Sequence, residues 1–138
     1  MKVYLAARFE EIRRIRAFAE ELRGLGIDVT SHWVEEPYDP KSDLDDPHYT
    51  EKILRDISER DIRDIDAADT FVLFTISPRT KFKRGGRHFE TGYAWSKGKS
   101  IILVGPYENS FHYLPGITRV TSWKALKQLL LTGDGLMP

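Results

Sequence analysis

The chain contains no cysteine, which excludes a disulfide framework and any zinc site built on thiolates, and makes a reducing cytoplasm its expected location. Histidine is scarce too. His32, His48, His88 and His112 are scattered, without the close spacing of a helical metal pair, so neither a metal nor another cofactor is expected. Net charge is also missing, because 21 Lys and Arg balance 21 Asp and Glu. No global basic field therefore exists to hold a nucleic acid polymer or an anionic membrane. No apolar run approaches the ~20 residues of a membrane-spanning helix, and Met1-Lys2 leads directly into a strand pattern instead of a signal peptide. Internal repeats and low-complexity segments are absent. A soluble, unprocessed, single domain spanning residues 1–138 is expected, long enough to bury a full core.

What is present is an alternation of short apolar runs and amphipathic segments. Val3-Tyr4-Leu5-Ala6-Ala7 reads as a strand. Ile12, Ile15, Phe18, Ala19 and Leu22 then put one apolar face on a helix that Gly24 and Gly26 stop. The stretch from Ile27 to Val34, rich in β-branched residues, is expected as a second strand. Between Glu35 and His48 lie Pro37, Pro40 and Pro47 among several acids, the composition of an irregular loop beside a binding site and a candidate lid. Ile53, Ile57, Ile62 and Ile65 predict an amphipathic helix from Tyr49 to Ala68, and Thr70 to Thr75 a buried strand. A helix from His88 to Lys97, a strand from Ser100 to Val104, a turn at Gly105-Pro106 and a weaker strand near Arg119 to Thr121 follow. A last helix runs from Trp123 to Leu131 with Ser122 as its N-cap. This order predicts right-handed βαβ crossovers, hence an α/β, doubly wound (flavodoxin- or Rossmann-like) five-stranded parallel sheet with helices on both faces. Ligands of such sheets bind beyond the carboxyl ends of the strands, where strand order reverses. That rule gathers Ala7-Arg8, His32-Trp33, Thr75 to Arg87 and Gly105 to Asn109 around one crevice.

The most informative stretch is Gly85-Gly86-Arg87-His88-Phe89-Glu90-Thr91-Gly92-Tyr93-Ala94. It sets Glu90 just inside a helix that opens on two glycines and follows a basic loop carrying Arg79, Lys81, Lys83 and Arg84. Glycines there let backbone N–H groups approach a ligand closely, and a helix N-terminus favours a phosphate or an ionised carboxylate. Glu90 is the candidate nucleophile, weighed against the plain alternative of a surface glutamate near a helix start.

Several segments resemble, together and in order, the nucleoside 2-deoxyribosyltransferase family and its relatives that act as N-glycosidases on 2′-deoxynucleoside 5′-monophosphates. They are Val3-Tyr4-Leu5-Ala6-Ala7-Arg8, Asp61 through Asp69 into Phe71-Val72-Leu73, Glu90-Thr91-Gly92-Tyr93-Ala94, and Gly98-Lys99. The resemblance runs from the first strand to about Pro115. It implies cleavage of an N-glycosidic bond with Glu90 attacking C1′, the logic of a retaining glycosidase. Water as acceptor gives hydrolysis, and a second nucleobase gives transfer. It also implies that Asp61 supplies the proton or strong hydrogen bond the departing base needs.

One position departs from the transferases. Six residues before Glu90 they often carry an Asp for the sugar 5′-hydroxyl, whereas this chain has Arg84, a group suited to gripping phosphate through paired hydrogen bonds. With Arg8, Gly85, Gly86 and Arg87 as further candidates for that grip, the expected substrate leans to a nucleoside 5′-monophosphate. Tyr4, Phe9, His32 and Trp33 are candidates to face the base, with Ala7 beside them. Asn109 and His112 are candidates to reach a neighbouring subunit's site, since the family completes its pockets across a homodimer. The rival expectation is a non-catalytic nucleotide-binding sensor on the same fold.

Overall fold

The computed structural model describes residues 1–37, 49–76 and 85–133. Strands β1 (Lys2–Ala6), β2 (Asp28–Val29), β3 (Thr70–Phe74), β4 (Ser100–Val104) and β5 (Thr118–Val120) form one parallel sheet in the order β2-β1-β3-β4-β5. This is the doubly wound arrangement, and its order reverses between β1 and β3. Helices α1 (Ile12–Gly24), α2 (Glu51–Ala67), α3 (Gly86–Ser96) and α4 (Trp123–Thr132) cover it.

The two layers follow from strand alternation. Phe18 of α1 stacks on Phe74 of β3 at 5.5 Å and on Trp123 of α4 at 4.0 Å, so α1 and α4 share one face. On the other face Tyr4 stacks on its register partner Phe71 at 5.5 Å, beneath α2 and α3, which the Tyr93 hydroxyl joins by donating to Asp66 at 2.6 Å. Helix α1 buries Ile12, Ile15, Ala19 and Leu22, one stripe at helical spacing. Strand β3 is buried along its whole length because helices cover both its sides. Thr50 accepts the Ile53 N–H at 3.2 Å to start α2, and Ser122 accepts the Ala125 N–H at 3.1 Å to start α4. No described helix is long and apolar enough to cross a membrane.

The second strand is shorter than the sequence predicts, Asp28–Val29 in place of Ile27 to Val34. The Thr30 N–H still reaches the Val3 carbonyl at 2.9 Å, but side chains then take over the edge of β1. The Leu5 N–H donates to Ser31 Oγ at 2.7 Å, and Trp33 Nε1–H donates to the Leu5 carbonyl at 2.7 Å. With the peptide groups of Leu5 satisfied, the backbone leaves the sheet and turns into a 3-10 helix, His32–Glu35. Helix α3 begins at Gly86, two residues before its expected start, which puts Glu90 in its second turn. At the exit of β4, Gly105 has φ +120°, and a Cβ there would lie 2.5 Å from Thr75 Oγ1. Glycine alone fits that crossing.

Candidate active site

A cleft of about 220 Å³ opens beyond the carboxyl end of β1, at the reversal of strand order. Tyr4 forms its floor. The exit of β1 supplies Ala7, Arg8 and Phe9, the 3-10 helix and its exit supply Trp33 and Glu36, α2 supplies Ile57 and Asp61, and α3 supplies Gly86, Arg87 and Glu90.

The Tyr4 hydroxyl donates to Oε2 of Glu90. Burial pushes the Glu90 carboxyl up to about 7, helped by the Asp61 charge and opposed by the Tyr4 hydrogen bond and the Arg60 charge. The Tyr4 phenol is held well above its ordinary value by its own burial and then by Glu90, so it stays a donor. Asp61 is also raised, chiefly by burial, while Arg60 pulls it down. Arg60 Nε and Nη2 donate to Asp61 Oδ1 at 3.2 and 2.9 Å, and the same Nη2 donates to Glu36 Oε1. One guanidinium thus ties two cleft carboxylates together. One turn further along α2, Asp64 accepts the His32 backbone N–H at 2.9 Å, and its own carbonyl accepts the Thr30 hydroxyl at 2.7 Å. That pins the segment carrying Trp33 and Glu36 onto α2.

Of the residues singled out from the sequence, Tyr4, Ala7, Arg8, Trp33, Asp61, Gly86, Arg87 and Glu90 meet around this cleft. Trp33 is a fixed wall, its indole anchored to Leu5. Arg8 lies 3.5 Å from Glu11, and its Nε has no hydrogen-bond partner among the described residues. Gly85 is the N-cap of α3, just outside the lining.

Four of the candidates lie elsewhere or hold other partners. His32 does not line the cleft: the 3-10 turn carries Trp33 inward and leaves the His32 side chain 71% exposed, with Nδ1 2.8 Å from Asp64 Oδ1. Arg87 is no free phosphate grip. Its guanidinium is buried and meets Glu108 at 2.5 Å, because a charge removed from water needs a partner in the same place. Asn109 and His112, the candidates for a neighbouring subunit's site, lie outside this chain's own cleft. They line a second groove of about 570 Å³ with Phe89, Trp95 and Phe111, on the opposite side of α3. There the Asn109 side chain accepts the Phe111 N–H at 2.9 Å, and His112 Nδ1 accepts the Glu108 N–H at 3.1 Å. The expected grip by Arg84 lies outside the described residues, as do Arg79, Lys81 and Lys83 of the same basic loop and most of the candidate lid between Glu35 and His48.

Sequence reasoning missed Glu36, Arg60 and Glu108. Each is an ordinary charged residue by position, and each acquires its role from a partner on another element, 24 residues away for Glu36 with Arg60 and 21 for Glu108 with Arg87. Among the described residues no group of three or more His, Cys, Asp or Glu is placed to hold a metal ion.

The fold and cleft define an α/β domain with a buried carboxylate at its switch point. Comparison with known proteins narrows this class. The family model for nucleoside 2-deoxyribosyltransferase matches residues 3–126. The chain belongs to that family, and is an enzyme of the N-glycosidase or deoxyribosyltransferase kind. Among solved structures it is similar to the CMP N-glycosidase BcmB of Clostridium botulinum, with 23% identity over 95% of this chain and 99% of that one and a TM-score of 0.57. It is also similar to the 2-deoxyribosyltransferase of Bacillus psychrosaccharolyticus, with 19% identity over 92% and 90% and a TM-score of 0.68. A conserved protein of Enterococcus faecalis shares 20% identity over 96% and 98%, with a TM-score of 0.64. At these identities the likeness shows the fold. No curated protein matches the chain by sequence.

Proposed function

We propose that the cleft cleaves the N-glycosidic bond of a nucleoside or nucleoside 5′-monophosphate through a covalent intermediate on Glu90. The observation that carries the reading is the placement of Glu90, buried, held by the Tyr4 hydroxyl and across the cleft from Asp61. An Oε of ionised Glu90 forms a bond to C1′ as the C–N bond breaks, and the electron pair leaves with the base. Asp61, raised by burial, supplies a proton or hydrogen bond to the departing ring. Water then hydrolyses the glycosyl ester, or a second base takes the sugar.

A 5′-phosphate is supported by the N-terminus of α3 at Gly86 and by Arg8, which both line the cleft. Arg87 serves the phosphate indirectly, by tying the start of α3 to Glu108. The second groove suits a second copy of the chain, since Phe89 and Phe111 are 67% and 71% exposed beside it.

The test is incubation with nucleosides and their 5′-monophosphates, with and without a second free base, and chromatography of the products. Free base from monophosphates supports hydrolysis, and a new nucleoside formed only with the second base supports transfer. An absence of product in every mixture would overturn the reading.

A further inference from the structure

Glu36 and Asp61 both line the cleft, and Arg60 Nη2 donates to Oε1 of the one and Oδ1 of the other, so the two carboxyl groups are neighbours. A substrate that places C1′ at Glu90 and its departing base at Asp61 therefore brings that base beside Glu36. Each carboxylate gives one oxygen to Arg60: Oε1 of Glu36 and Oδ1 of Asp61. Oε2 of Glu36 and Oδ2 of Asp61 are not used by these Arg60 contacts. Glu36 is also three-quarters removed from solvent, its side chain 24% exposed. Its geometry is set from both sides, by Arg60 on α2 and by its backbone, whose N–H donates to the Trp33 carbonyl at 3.1 Å and whose carbonyl accepts from Arg16 Nη2.

We infer that Glu36 is the specificity-determining residue for the base, and that it selects bases bearing an exocyclic amine, such as cytosine and adenine, over their oxo counterparts. An ionised carboxylate only accepts hydrogen bonds. An amine offers it N–H donors, whereas the carbonyl of uracil or hypoxanthine at the same position sets one lone pair against another and leaves the second oxygen of a partly buried carboxylate without a donor. The inference rests on the proposed function in taking the cleft as the nucleoside site, with C1′ at Glu90 and the base at Asp61, and it does not require turnover.

The experiment is calorimetric titration of the full-length Glu90→Gln protein, which removes the nucleophile, with two matched pairs: CMP against UMP, and AMP against IMP. The amino member of each pair is expected to bind ~10–100-fold more tightly, the usual value of a charge-assisted hydrogen bond. Adding Glu36→Gln, whose amide can turn either a donor or an acceptor to the base, is expected to bring each ratio within ~3-fold of one. Equal or tighter binding of the oxo member, no binding of any of the four, or a ratio unaffected by Glu36→Gln would each overturn the inference. An amino preference in a wild-type protein that releases no base would instead overturn the proposed reaction and leave this assignment standing.

Discussion

The hydroxyl of Tyr4, on the first strand, donates to the carboxylate of Glu90, on the second turn of α3, across 86 residues of sequence. Tyr4 has no exposed surface and its ring is stacked on Phe71, so the donor cannot swing away without unpacking the core. The bond holds one carboxylate oxygen and stabilises the ionised form that burial disfavours. A rigid donor from the sheet therefore positions a carboxylate delivered by a helix.

Tyr4→Phe keeps the ring packing and deletes that donor. Glu90 then rises above its value of about 7, because the lost hydrogen bond was lowering it. The acid limb of the pH profile for base release is expected to shift upward, with a fall of about tenfold in rate at neutral pH. An unmoved acid limb would show that Tyr4 does not act on Glu90.

Glu90→Gln is expected to lower base release by several orders of magnitude while stabilising the fold at alkaline pH. The sign follows from linkage. The folded value of about 7 exceeds the ordinary 4.5, so the folded protein binds the extra proton and its stability falls as pH rises through that window. The gap is worth roughly 3 kcal/mol at most. Thermal unfolding of both proteins at pH 5 and pH 8 checks this, with the variant gaining on the wild type at the higher pH.

Arg60→Met removes the guanidinium shared by Glu36 and Asp61 and a positive charge that lowers Glu90. The acid limb is expected to move up, as in Tyr4→Phe. Discrimination between CMP and UMP should weaken as well, because Glu36 loses its anchor. A pH profile measured with each nucleotide separates the two effects.

Glu108→Leu leaves Arg87 buried without its charge partner. The Glu108 side chain is 2% exposed and that of Arg87 3%, so the expected cost is about 3–5 kcal/mol. For a chain of this size that lowers Tm by roughly 10–17 °C. Arg87→Met combined with Glu108→Leu is expected to recover most of the loss, which thermal unfolding of the single and double variants would reveal.

Phe89→Ser with Phe111→Ser breaks the apolar rim of the second groove without touching the cleft. The wild type is expected to sediment as a dimer or larger species, and the double variant as a monomer with its secondary structure intact. A wild-type protein that sediments as a monomer at micromolar concentration would remove the groove as a self-association surface.

Periodicity alone was enough for the order of strands and helices, because burying an apolar stripe of α1 or a strand such as β3 needs only the spacing of its own residues. The glutamate in the Gly85 to Ala94 stretch was legible for the same reason, a local pattern of glycine and acid. Its surroundings were not. Whether β2 continues to Val34 depends on Ser31 and Trp33 capping Leu5, a competition between side chain and backbone that no strand propensity records. Whether Arg87 faces a phosphate or a carboxylate depends on Glu108, delivered by the loop after β4. The raised Glu90 carboxyl and the pairing of Glu36 with Arg60 likewise exist only once β1, α2 and α3 converge, since burial and Coulomb interactions act through space and not along the chain.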